Sequence, residues 1–201
     1  MYETSLLIQE DFYVNPMEVR DFALSQPFDV KGNYPGLRTK NFVGPGTKES
    51  IEKLVEPHAG KITWFGGTEN KGDYTGSFQI AYANDRTWIH SDGNINWAGV
   101  VYLTPDAPVS AGTGLFKHKK TGLYQTPKNA NNIADFELQS KLIENYEWQD
   151  YTKWEMHTMV GNKFNRLVLY RGNYFHASLD YFGNTPQNAR LFQLFFFNTE
   201  Y

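Results

Sequence analysis

From about residue 61 onward the apolar positions fall into short runs that suit strands rather than helices. KITWFGG, GSFQIAYAN, TWIHS, NWAGVVYLT, TGLFKH, KWEMHTMV, FNRLVLYRG, YFHASL and ARLFQLFFFN are all short and rich in β-branched or aromatic residues. Each is bounded by Gly, Asn, Asp or Pro. Helical patterning is confined to three places. Asn15-Pro16 reads as a helix start, with Pro at the first helical position and an end near Gln26. Thr47 reads as the cap of a second helix, KESIEKLVEPH, and residues 131–148 read as a helical insertion between strands. Residues 32–46, with Gly32, Pro35, Gly36, Gly44, Pro45 and Gly46, read as loop. The predicted fold class is mainly β, a jelly roll with N-terminal helices and one helical insertion packed outside. The expected organisation is a single domain over 1–201, with 1–60 a helical and loop flanking layer and 61–201 the jelly-roll core.

The last of these runs says the most. In ARLFQLFFFN the alternate residues Arg190, Phe192, Leu194 and Phe196 share one face, and Leu191, Gln193, Phe195 and Phe197 the other. Both faces are apolar, so both should be covered, and the one with an arginine at its start needs a reason for it.

Composition narrows the chemistry. The formal net charge is -3 and the sequence pI about 5.9, so the basic footprint of a nucleic-acid binder is absent and no nucleic acid is expected as a partner. There is no cysteine, so any metal site must use His and carboxylates. No apolar run approaches membrane-spanning length and the first residues lack a basic stretch followed by an apolar one. A cytoplasmic protein without a membrane partner is expected.

Against that background His90-Ser91-Asp92, followed far downstream by His176, stands out. Two residues apart in extended chain, His90 and Asp92 point to the same side. With one distant His they form the ligand set of a two-histidine, one-carboxylate iron site, which occupies one face of Fe(II) and leaves the other open. His-x-Asp alone is common: His90 could be a hydrogen-bonded, half-buried histidine, and Asp92 a turn acceptor before Gly93. Of the other histidines, His58 reads as a helix C-terminal residue, His157 as a strand residue and His118, beside Lys119 and Lys120, as solvated.

WIHSDGN, GVVYLTPD, GTGLFKH, NRLVLYRGNYFHAS and NARLFQLFF, in that order over residues 75–198, resemble the Fe(II)- and 2-oxoglutarate-dependent oxygenases of the prolyl-hydroxylase-like branch. NYPGLRTKNF is similar to an uncharacterised phage and bacterial subgroup of it. The resemblance implies a double-stranded β-helix (a cupin-like jelly roll), with Fe(II), 2-oxoglutarate and O2 as cofactor and co-substrates. It implies His90, Asp92 and His176 as metal ligands and Arg190 as the partner of the distal carboxylate of 2-oxoglutarate. Arg166 and Arg171 precede the distal His, in the wrong order. Tyr82 matches a position that often donates a hydrogen bond to the co-substrate, with Tyr102 and Ser178 as further candidates for that shell. Arg38, in YPGLR, is a candidate on the substrate side. The implied activity couples oxidative decarboxylation of 2-oxoglutarate, giving succinate, to oxidation of an unknown small molecule or protein side chain. Two alternatives stay open. One is a non-catalytic β-sandwich binding module. The other is a cupin-type metal enzyme that does not use 2-oxoglutarate.

Overall fold

A computed structural model describes residues 4–67, 73–93, 95–126 and 143–201. Ten strands and two α-helices are seen among them: β1 (Leu6–Gln9), α1 (Pro16–Ser25), β2 (Leu37–Asn41), α2 (Thr47–Ala59), β3 (Ile62–Phe65), β4 (Ser77–Ala81), β5 (Trp97–Tyr102), β6 (Thr113–His118), β7 (Trp154–Val160), β8 (Leu167–Arg171), β9 (His176–Ser178) and β10 (Arg190–Thr199). The strands form an antiparallel jelly roll of two facing sheets. The seven-stranded major sheet runs β1-β8-β5-β10-β4-β2, with β3 joined to the far end of β10. The minor sheet is β7-β6-β9.

β10 lies at the centre of the major sheet, and its two apolar faces are both used. Leu191, Phe195 and Phe197 pack with Ala23 of α1 and with Ile51, Val55 and Ala59, the buried stripe of α2 at helical spacing. Phe192 and Leu194 pack the opposite way, against Val100, Val168, Tyr170 and, from the minor sheet, Leu115. The helices therefore cover one side of the major sheet and the minor sheet covers the other. A third cluster, Phe116, Ile143, Trp154, Phe175 and Ala177, seals the outer face of the minor sheet.

Several expectations are corrected. Residues 1–60 are more than a helical flank, because β1 pairs with β8 and β2 with β4. β2 runs through the stretch read as loop. Gly32, Pro35 and Gly36 belong to the turn before it, where Gly36 sits at φ 70 and a Cβ would lie 2.0 Å from the carbonyl oxygen of Ile80, and Gly44, Pro45 and Gly46 to the connection that follows. Gly46, at φ 74, is the residue before α2, and Thr47 is its first helical residue rather than its cap. α1 itself is as expected, with Asn15 at the N-cap, Pro16 in the first turn and Gln26 at the C-cap, although the Asn15 side chain makes no capping bond. TWIHS forms no strand, only a single bridge from His90 to His176. Most of the insertion read at 131–148 falls outside the described residues, and its end, Asn145–Trp148, is a 3-10 turn. Among the described residues no helix is long and apolar enough to cross a membrane.

Candidate metal centre and the cavity around it

The extended segment at 88–92 adds itself to the open edge of the minor sheet. His90 and His176 exchange main-chain bonds, His90 N–H donating to His176 O at 3.0 Å and His176 N–H to His90 O at 2.8 Å. The amide of Asp92 donates to the Gly172 carbonyl at 2.7 Å, in the turn between β8 and β9. A directly opposed antiparallel pair sends its side chains to the same side, and the residue two along follows them. His90, Asp92 and His176 consequently present one ligand atom each, all within 4.8 Å of one another.

The chemistry of these three side chains can be read from their partners. Nδ1 of His90 lies 3.1 Å from the Trp88 carbonyl, and Nδ1 of His176 lies 2.8 Å from the Tyr174 carbonyl. A carbonyl oxygen only accepts, so Nδ1 carries the hydrogen in both rings. Burial pulls His176 down to about 4, against the opposing pull of Asp92, so its ring is neutral near pH 7 and Nε2 is a bare lone pair. That lone pair faces Asp92 Oδ2 at 3.4 Å, and His90 Nε2 faces Oδ1 at 3.8 Å. Asp92 Oδ2 is buried with no hydrogen-bond donor. Acceptors converging on acceptors, with a buried carboxylate oxygen lacking a donor, repel one another unless a cation lies between them. The donor set therefore fits a divalent metal. It also has the outer support that metal-binding histidines need, each Nδ1 held by the carbonyl two residues earlier in its own chain.

The centre sits at one side of a cavity of about 390 Å³ between the sheets. Tyr170, Phe192 and Leu194 form apolar walls, Thr113 and Ser178 bring hydroxyls, and Arg38 brings a guanidinium. Arg190 is fully buried (0% exposed), so it is not simply a strand end in solvent. It does not line the cavity but touches its walls. Nη1 donates to Ser178 Oγ at 2.8 Å, and the guanidinium carbon lies 4.5 Å from the Phe192 ring and 5.6 Å from that of Tyr181. Nε and Nη2 donate to the carbonyls of Ala111 and Gly112 at 3.1 and 3.2 Å. No carboxylate among the described residues pairs with it.

The remaining sequence candidates separate cleanly. Tyr102 is buried beside Arg190, 5.5 Å from ring to guanidinium, with its hydroxyl 2.7 Å from Thr113 Oγ1. Burial raises its pKa, and the guanidinium opposes this. Tyr82 must be withdrawn from the co-substrate shell. It follows Phe78 and Ile80 on the β4 face that packs under the helices, whereas the cavity is lined from β4 by Gln79. Arg166 is engaged by Glu10 and Arg171 donates to the Thr4 carbonyl, and neither lines the cavity. His118 is not solvated. It is fully buried, its ring 4.8 Å from Trp154 and its Nε2 3.3 Å from Glu147, on the outer side of the minor sheet. Thr113, Gln79, Tyr34, Tyr74 and Tyr181 were not singled out by sequence. Thr113 opens the TGLFKH strand, which was the one available signal.

Residues 2–196 match the family model described as a family of unknown function, DUF6445. The chain belongs to this family. A comparison of this DUF6445 chain with curated protein sequences finds no match. Among solved structures it is similar to HygX from Streptomyces hygroscopicus, determined with nickel and 2-oxoglutarate bound. The TM-score is 0.56 at 10% identity, covering 98% of the DUF6445 chain and 84% of HygX. It is similar to a prolyl hydroxylase from Trichoplax adhaerens, in complex with a hypoxia inducible factor peptide fragment, with a TM-score of 0.56 at 12% identity over 98% and 84% of the two chains. SnoK, a non-heme alpha ketoglutarate dependent carbocyclase from nogalamycin biosynthesis, gives 0.52 at 12% identity over 98% and 81%. At such identities the likeness is one of fold: DUF6445 has the jelly roll of the 2-oxoglutarate-dependent oxygenases.

Proposed function

We propose that the protein is an Fe(II)- and 2-oxoglutarate-dependent oxygenase, a hydroxylase acting on a small molecule or a protein side chain. The observation that carries this reading is the convergence of two Nε2 lone pairs and a buried, donor-less carboxylate oxygen beside an open cavity. His90, Asp92 and His176 would hold the metal. When iron and 2-oxoglutarate are bound, such a centre supplies the coupling of oxidative decarboxylation, with succinate and CO2 as products, to oxidation of a second molecule by O2.

The chain's own part is orientation and shielding. The Trp88 and Tyr174 carbonyls accept from Nδ1 of the two imidazoles and so turn Nε2 of each toward the metal position, and at His176 burial keeps that nitrogen free of a proton at neutral pH. Arg190 is assigned to the far carboxylate of 2-oxoglutarate. Three of its five N–H groups go to Ala111, Gly112 and Ser178, and the guanidinium also acts on the Tyr102 hydroxyl, so a carboxylate would have to reach it past Ser178, which lines the cavity. Tyr102, Thr113 and Ser178 supply hydroxyls beside it. Tyr170, Phe192 and Leu194 keep water from the space between.

Titration calorimetry with Fe(II) under anaerobic conditions, followed by succinate assay with 2-oxoglutarate and O2, tests this. One tight metal equivalent that is lost in His176→Ala, with metal-dependent succinate release, is expected. Failure to bind metal would end the proposal. Metal binding with indifference to 2-oxoglutarate would instead select a cupin-type enzyme of another kind.

A further inference from the structure

The cavity holds a second guanidinium that the centre does not use. Arg38 lies on β2 opposite Gln79 of β4 and is only 9% exposed. Its main chain bridges to Val30 in both directions. Its guanidinium lies in the corner made by two rings, 3.6 Å from the centroid of Tyr34 and 4.4 Å from that of Tyr74, which themselves meet edge-on at 5.2 Å. Nε donates to Gln79 Oε1 at 2.7 Å, and the Gln79 amide is oriented by its own bond to the Pro35 carbonyl, also 2.7 Å. The fork is thus held by two rings and, at its Nε edge, by Gln79.

The other edge is free. Among the described residues neither Nη nitrogen has a hydrogen-bond partner and no carboxylate forms an ion pair with Arg38. Burial lowers the group to about 10, so it remains a cation at neutral pH. Ring faces offset only part of the cost of burying such a charge. Asp92 is the carboxylate whose charge acts on it, and the proposed function commits that carboxylate to the metal. Among the described residues Arg38 is also the only Lys or Arg lining the cavity. A single fixed fork matches a singly charged, planar carboxylate better than a doubly charged phosphate, whose sites gather several cations and donors.

We infer that Arg38 anchors a carboxylate of the substrate, so that the molecule to be oxidised is an acid whose charged end is held on the β2 side of the cavity, away from Arg190. The term substrate rests on the oxygenase reading; the anion site itself does not.

The test uses the full chain and probes that report on each part separately. Trp64 and Trp88 line the cavity, so tryptophan fluorescence reads its occupation. Metal-free protein is titrated with benzoate, with its neutral analogue benzamide and with phenyl phosphate. Benzoate should bind at least tenfold more tightly than either. Arg38→Gln should lose at least tenfold for benzoate, and Arg38→Lys should fall between, with melting temperatures confirming that both variants are folded. With Mn(II) present, 2-oxoglutarate should bind wild type and Arg38→Gln alike and should not displace benzoate. Equal binding of benzamide, tighter binding of phenyl phosphate, no binding of benzoate, or unchanged binding in Arg38→Gln each overturns the assignment. So does displacement by 2-oxoglutarate, which would give Arg38 to the co-substrate. Failure of metal and 2-oxoglutarate binding would remove the oxygenase reading while leaving the benzoate result to stand or fall alone.

Discussion

His90 and His176 exchange both of their main-chain hydrogen bonds, at 3.0 and 2.8 Å. The two imidazoles are thereby placed by backbone pairing before any metal arrives, with ring centroids 4.4 Å apart. Preorganisation of this kind leaves Asp92 in an awkward position, its Oδ2 buried without a donor and facing a lone pair.

Asp92→Asn should therefore act in opposite directions on stability and binding. An amide N–H can donate to His176 Nε2, so the metal-free variant should be more stable by about 1 kcal/mol, read as a higher melting temperature. Metal affinity should collapse by more than the ~10–100-fold that follows loss of an outer-shell partner. Calorimetry with Fe(II) and thermal melts on the same samples check both halves. A destabilised metal-free variant would mean that the carboxylate has a donor.

Arg190→Lys keeps the charge and loses the fork. Losing one charge-assisted bond of ~1.5–3 kcal/mol should raise the KM for 2-oxoglutarate roughly ten- to hundredfold, with metal affinity little changed. Arg190→Ala is the poorer experiment. It strips donors from the Ala111 and Gly112 carbonyls and from Ser178 at once, and should cost about 3 kcal/mol or more of stability.

Tyr82 and Thr113 make a paired control. Tyr82→Phe should leave 2-oxoglutarate binding as it is, because Tyr82 faces the helices. Thr113→Val removes the partner of the buried Tyr102 hydroxyl, should cost ~1–3 kcal/mol in stability, and should weaken 2-oxoglutarate. Binding isotherms for both variants decide it, and loss of binding in Tyr82→Phe would return that residue to the site.

His118 supplies a pH dependence away from the centre. Burial holds it below the ordinary imidazole value of 6.5, against the pull of Glu147. As pH falls through that value the unfolded chain takes up a proton that the folded chain refuses. Stability present above pH 6.5 is then lost on the way down to the lower folded value. His118→Gln should flatten the fall in melting temperature between pH 7 and pH 5. The same sign from His176, held to about 4, remains in both proteins.

The strand-rich class was readable because runs such as TGLFKH and ARLFQLFFFN are short and bounded by turn residues, and β6 matches its run residue for residue. β2 was not, because LRTKN has one apolar residue in five; it is a strand only because β4 offers it a ladder. His118 was misread for a related reason. Its neighbours Lys119 and Lys120 look solvated in sequence, while Trp154 and Glu147, which bury it, come from a distant segment.

Sequence alone determined what is local or periodic: the alternation of β10, the helical stripe of α2, and the two-residue spacing that puts His90 and Asp92 on one side. Tertiary structure decided everything that depends on which strands become neighbours. It joined His176 to His90 across the minor-sheet edge, turned Tyr82 toward the helices, and closed Tyr34, Tyr74 and Gln79 around Arg38. The physical reason is that side-chain direction repeats along a strand every two residues, whereas strand partners are chosen by burial and backbone pairing between segments far apart in the chain.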